Sequence, residues 1–210
     1  MARIRPVVSL LAFALASSLA VARADAPAQN HGLELGVEAG GLLPLSALGA
    51  NAVGGVRAGY VLPWLSRRMT LAVDVTFARP TAAGTVTGDG RVAGSQYDWH
   101  LGLRELTVMP TLTFDLPRLG PVQPAVGLGP RVYLLQSVVE GSVGSQHIAA
   151  TTEESTKVGV GLPLSAAYAL GPGALVGTLL LEWGPLDQVA TGAPTTVAAA
   201  SLLVGYRLTL

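Results

Sequence analysis

Eight stretches of this chain alternate apolar with less apolar residues at a period of two: residues 33–40, 55–62, 69–78, 104–116, 123–135, 157–170, 175–183 and 197–210. A period of two is the repeat of a β-strand whose two faces meet different surroundings, because successive side chains leave the backbone on opposite sides. The third stretch is the plainest, with Met69, Leu71, Val73, Val75 and Phe77 on one face and Thr70, Ala72, Asp74, Thr76 and Ala78 on the other. The seventh is apolar almost throughout. Beyond residue 24 no apolar run approaches the ~20 residues that a membrane-crossing helix needs. The expected fold is all-β: eight antiparallel strands, connected up-and-down and closed into one barrel over residues 25–210.

Alternation alone fits a soluble barrel as well as one that crosses a membrane, and the position of charge separates them. Glu34, Glu38, Arg57, Asp74, Glu105, Asp115, Arg131, Lys157, Glu182 and Arg207 all fall on the less apolar face of their stretch. Only Arg104, at a strand end, falls on the other. A charge facing lipid at the bilayer midplane costs roughly 2–4 kcal/mol, whereas one in a polar lumen stays paired or hydrated. A soluble barrel has the reverse arrangement, apolar inside and charged outside. Charged residues make up only 12% of the chain, about half the usual share of a soluble domain. The expectation is a transmembrane barrel whose lumen holds these ten charges as a salt-bridged network.

The connections support this. They alternate in length: residues 42–54, 79–103, 136–156 and 184–196 form long ones, and 63–68, 117–122 and 171–174 short ones. Outer-membrane barrels have short periplasmic turns and longer extracellular loops, and a periplasmic N-terminus puts every short connection on the periplasmic side. Tyr60, Phe114, Tyr168 and Tyr206 lie near one end of their strands, and Phe77 and Trp183 near the other. These six rings are the expected aromatic girdles at the two membrane surfaces. Pro110, Pro124, Pro130 and Pro163 each remove a ladder donor, so bulges or strand ends are expected beside them.

The first 24 residues read as a cleaved signal peptide. Arg3 and Arg5 precede an uncharged run from Val7 to Val21, and Ala22-Arg23-Ala24 supplies a small-x-small cleavage site. Its removal takes three of the 13 basic residues and none of the 13 acidic ones, leaving 10 against 13. A nucleic-acid partner, which calls for a basic patch, is not expected. The chain has no cysteine, so neither disulfides nor a lipidated cysteine enters the reading.

Little points to chemistry. Ser145 and His147 stand two residues apart in a polar connection, and Trp99-His100 lies in another. A lone Ser/His spacing is mostly chance, so no enzyme is expected. His31, His100 and His147 lack metal-ligand spacing, and no metal or cofactor is expected. The run Thr151-Thr152-Glu153-Glu154-Ser155 reads as a solvated surface open to cations or lipopolysaccharide.

These features resemble the small eight-stranded outer-membrane barrels of the OmpA and OmpW type over the whole of residues 25–210. The C-terminal Tyr206-Arg207-Leu208-Thr209-Leu210 is similar to the alternating last strand that the barrel-assembly machinery reads in such proteins, with Leu210 where an aromatic is usual. The resemblance implies a bacterial outer-membrane location, contact with outer-membrane lipid and lipopolysaccharide, and a structural or surface-interaction role. Eight strands enclose an interior just wide enough for side chains to fill. The alternatives are a narrow channel for small solutes, since inward glycines leave room for water, and a soluble periplasmic barrel binding an apolar ligand.

Overall fold

The computed structural model describes residues 32–46, 48–63, 67–88, 96–144, 146–184 and 197–210. The expected signal peptide lies outside the described residues. Within them run nine strands: β1 (Leu33–Pro44), β2 (Asn51–Leu62), β3 (Met69–Ala78), β4 (Thr81–Thr87), β5 (Gln96–Asp115), β6 (Val122–Val143), β7 (Gln146–Leu170), β8 (Gly173–Trp183) and β9 (Ala199–Thr209). Chain neighbours pair antiparallel, β9 returns to β1, and β3 pairs with β5, which closes the sheet.

Two of the nine strands are one barrel strand in two parts. Ala78 faces Glu105 and Thr81 faces Gly102, so β3 and β4 lie on β5 in a single unbroken register. Pro80 has no N–H to give the ladder, but its carbonyl still accepts the Leu103 N–H at 3.0 Å. The result is a closed eight-stranded antiparallel barrel, as the eight alternating stretches predict. Closure satisfies the backbone without leaving a sheet edge at this level, the condition for a sheet to sit in hydrocarbon.

The long connections are different from the expectation. Residues 42–44 belong to β1 and 51–54 to β2, leaving only 45–50 between them. The stretch 79–103 contains β4 and the first eight residues of β5, and 136–156 is a continuous hairpin of β6 and β7 turning at Gly144, whose φ is 58°. Of the fourth, residues 185–196 lie outside the described residues. Strands β4 to β7 thus rise beyond the closed barrel as a sheet, the extension. Residues 98–103 of β5 still alternate, but with the opposite phase, apolar side chains inward, so a reading held to one phase ends where the phase flips.

The prolines also differ from the expectation. Val108 faces Val132 and Leu112 faces Leu128, so the register is the same on both sides of Pro110 and Pro130, which lie opposite each other. Pro163 likewise sits in one register between Val126–Leu164 and Gly129–Gly161, and only Pro124 lies near a strand end. The register shift in this region falls elsewhere, at Val139–Gly141. Glycine makes the room: a Cβ on Gly129 would meet the Pro110 carbonyl, and one on Gly127 would come within 2.9 Å of the Pro163 ring.

Candidate functional site

The interior of the barrel divides into two layers. Nearer the short turns it is polar and centred on Arg57. Its Nε donates to Glu34 Oε1 at 2.8 Å, Nη1 to both Asp74 oxygens at 2.9 and 3.0 Å, and Nη2 to Thr113 Oγ1 at 3.0 Å. Asp74 stands directly across the β2–β3 ladder from Arg57, and it also accepts from Thr111 Oγ1 at 2.6 Å. Arg207 Nε reaches Glu34 Oε1 at 3.2 Å. Two carboxylates therefore bracket one guanidinium, with threonines taking remaining bonds, and such charge-assisted pairs hold geometry tightly.

One layer further up, Arg131 is buried at 1% exposure and its Nε lies 2.7 Å from Glu182 Oε2. That contact is not aligned as a hydrogen bond, so the pair is held by charge, while Arg131 Nη2 donates to Thr76 Oγ1 at 2.9 Å. The guanidinium lies over the Tyr133 ring, 5.4 Å from its centre. Glu38 lines a space of only 20 Å³ between the two layers with Arg57, Asp74, Arg131 and Arg207, room for about one water molecule.

Of the ten charges expected in the lumen, all lie on the inward face, and among the described residues six enter ion pairs: Glu34, Arg57, Asp74, Arg131, Glu182 and Arg207. Glu105 is buried within electrostatic range of Glu182 and Arg131. Two stand apart. Asp115 lines an open vestibule of 410 Å³ at the short-turn end, with Arg118 and Arg207. Lys157 is half-buried opposite Tyr133 on the β6–β7 ladder.

Above Arg131 the interior turns mainly apolar, with Lys157 and Glu105 opposite Tyr133 and Leu135 on the ladders. Leu48, Ala82, Trp99, Leu101, Leu103, Tyr133, Leu135 and Val197 form one buried cluster, capping the charged layers. Sequence reading missed this plug because Trp99, Leu101 and Leu103 were counted as loop. Alternation puts Thr107, Thr111 and Thr113 on the inward face of β5, but a lumen network read from charges alone omits their hydroxyls.

The outer surface is the inverse. Val56, Leu71, Val73, Leu112, Leu128, Val160, Leu179 and Leu202 are exposed all round the closed barrel. Along β5 and the residue that follows it, the exposed apolar side chains span Leu106 to Leu116, ten residue steps, or about 25 Å for a strand tilted by ~40°. Tyr60, Phe114 and Tyr168 are exposed toward the short-turn end, Phe77 and Trp183 toward the other. Tyr206 is half-buried and donates its hydroxyl proton to the Leu170 carbonyl at 2.7 Å. On the extension, His100 and His147 lie on different strands, opposite Glu140 and Ser142, and Ser145 and His31 lie outside the described residues.

Comparison with solved structures agrees with this architecture. The chain is similar in fold to a major outer membrane protein from Thermus thermophilus, with a TM-score of 0.57 and 19% identity over 86% of this chain and 100% of that one. Neisserial surface protein A gives a TM-score of 0.45 and 17% identity, covering 85% of this chain and 97% of that one. No protein-family model matches the sequence, and no curated protein does.

Proposed function

We propose that this chain is a bacterial outer-membrane barrel with a structural or surface-interaction role, its lumen closed by its own side chains. The observation that carries this is the inversion of polarity along single strands. In the closed barrel, apolar residues face out and charged ones in; in the extension of β5, His100 and Asp98 face out and Leu101 and Leu103 in. Water on the outside explains the second arrangement, and hydrocarbon on the outside explains the first. A soluble barrel binding an apolar ligand would need the apolar face inside along its whole length.

The channel reading needs a continuous polar path. The paired charges of Arg57 and Arg131, and the apolar cluster above them, stand across it. In this reading the chain is exported by a cleaved signal peptide, folded by the barrel-assembly machinery, and surrounded by outer-membrane lipid and lipopolysaccharide.

The test combines two measurements on protein refolded into detergent micelles. Cold and boiled samples are expected to differ in gel mobility, and planar bilayers to show no discrete conductance. Full solubility without detergent would overturn the membrane assignment. Discrete openings that change when Arg57 or Arg131 is neutralised would overturn the closed lumen.

A further inference from the structure

Where the apolar belt of the outer surface meets the polar outer face of the extension, a groove of 400 Å³ opens outward across β3, β5, β6 and β7. Its lower wall is Phe77, Leu106 and Leu134, and its rim includes Arg104, Gln136 and Glu154. The rim is a cross-strand row, since Arg104 faces Gln136 and Gln136 faces Glu154 in the ladders. Arg104 Nη1 donates to Gln136 Oε1 at 3.3 Å, and Gln136 Nε2 donates to Glu154 Oε1 at 3.1 Å.

The row continues one strand further. The shared register of β3 and β4 sets Arg79 opposite Arg104, and the Arg79 guanidinium lies 5.1 Å from the centre of the Phe77 ring. Like charges directly opposite on neighbouring strands are destabilising. The acid on this row, Glu154, is two strands from Arg104 and already accepts from Gln136. Two exposed arginines at one level on adjacent strands suit a bridging anion, and the forked geometry of arginine matches phosphate oxygens.

We propose that this groove binds a phosphate-bearing acyl lipid, its phosphate between Arg79 and Arg104 and its chain over Phe77, Leu106 and Leu134. The proposal rests on the membrane reading above. A free phosphate would leave the apolar wall uncovered; a lipid covers it, and the groove lies at the level where headgroup meets hydrocarbon.

The test is native mass spectrometry of the mature chain refolded in detergent micelles. The probes are phosphatidylglycerol, diacylglycerol with the same chains, and inorganic phosphate. Stoichiometric adducts are expected with phosphatidylglycerol alone. Arg79→Gln with Arg104→Gln is expected to weaken them about tenfold, equivalent to ~1.4 kcal/mol. Each single variant is expected to weaken them about threefold, which serves if the double variant does not fold. Arg118→Gln, at the short-turn end, is expected to change nothing, and Glu154→Gln to tighten binding.

Equal binding of diacylglycerol, displacement by equimolar inorganic phosphate, or an equal loss in Arg118→Gln would overturn the proposal. A protein dimer lost in the double variant, in place of lipid adducts, would assign the groove to a second copy and overturn it too. A chain soluble without detergent fails the membrane reading itself. A heat-modifiable barrel without phosphate-dependent binding fails this inference alone.

Discussion

The two halves of β5 have opposite construction. From Leu106 to Leu116 the even-numbered residues are apolar and, apart from half-buried Val108, exposed, with Glu105, Thr107, Met109, Thr111 and Thr113 buried behind them. From Tyr97 to Leu103 the odd-numbered residues are apolar and turned inward, while Arg104, His100 and Asp98 are exposed. The backbone does not change: the pairing with β6 keeps one register from Asp98 to Asp115. What changes is the surroundings of the outer face. A strand records its solvent in the phase of its alternation, and the flip at Leu103–Arg104 places a boundary between lipid and water to within about a residue.

The interior follows the same division, and the largest test lies at its seam. Arg131 lies where the charged layers meet the apolar cluster, its guanidinium over the Tyr133 ring, and the side chain of its partner Glu182 is fully buried. Among the described residues, Arg131→Met should leave Glu182 with the 3.4 Å hydroxyl contact from Ser201. A loss of about 3–5 kcal/mol is expected, because removing one partner strands a buried charge. Urea unfolding in detergent micelles measures it. Arg131→Met combined with Glu182→Leu should recover most of the loss, and a double variant as unstable as the single would show that packing, not charge, governs this layer.

Next in size is the apolar cluster. Leu101 is 0% exposed, so Leu101→Ala is expected to cost about 3–4 kcal/mol. The loss should fall on the extension, seen as faster amide exchange in residues 96–103 and 136–143. The heat-modifiable gel shift, which reports the closed barrel, should persist. Loss of that shift would mean that the two regions unfold as one unit and that the division is one of surface alone.

How much of this was legible in the chain depends on the region. Eight strands, their closure and the inward placement of ten charges follow from alternation, because each strand at membrane height has one face in lipid. The extension was not legible by the same rule. Trp99, Leu101 and Leu103 alternate as regularly as Leu106 to Leu116, but their phase is reversed, and a segment that breaks phase reads as loop. The charge pairing was half legible. Alternation assigns Arg57 and Asp74 to one face, but only register sets them opposite each other. The prolines misled for a related reason: Pro110 and Pro130 interrupt the same rung from both sides, so neither strand gains a residue and no bulge is needed.

The division can be broken most directly by placing one charge on the outer face of each region. Val73 is exposed and opposite Pro110, near mid-height of the apolar belt. Val73→Lys is expected to cost about 2–3 kcal/mol in lipid vesicles, since a lysine there must leave water. His100 is exposed on the outer face of the extension, opposite Glu140. His100→Lys should be neutral or stabilising by up to about 0.5 kcal/mol, because an opposite-charge cross-strand pair in water gains little. Paired urea titrations of the two variants give the contrast. The same side chain would then differ by about 2 kcal/mol over roughly ten residues of one wall. Two effects near zero would take lipid away from the Val73 face and remove the boundary at Arg104, whereas a penalty at His100 as large as a full penalty at Val73 would move it above the extension and put β4 to β7 in the membrane as well.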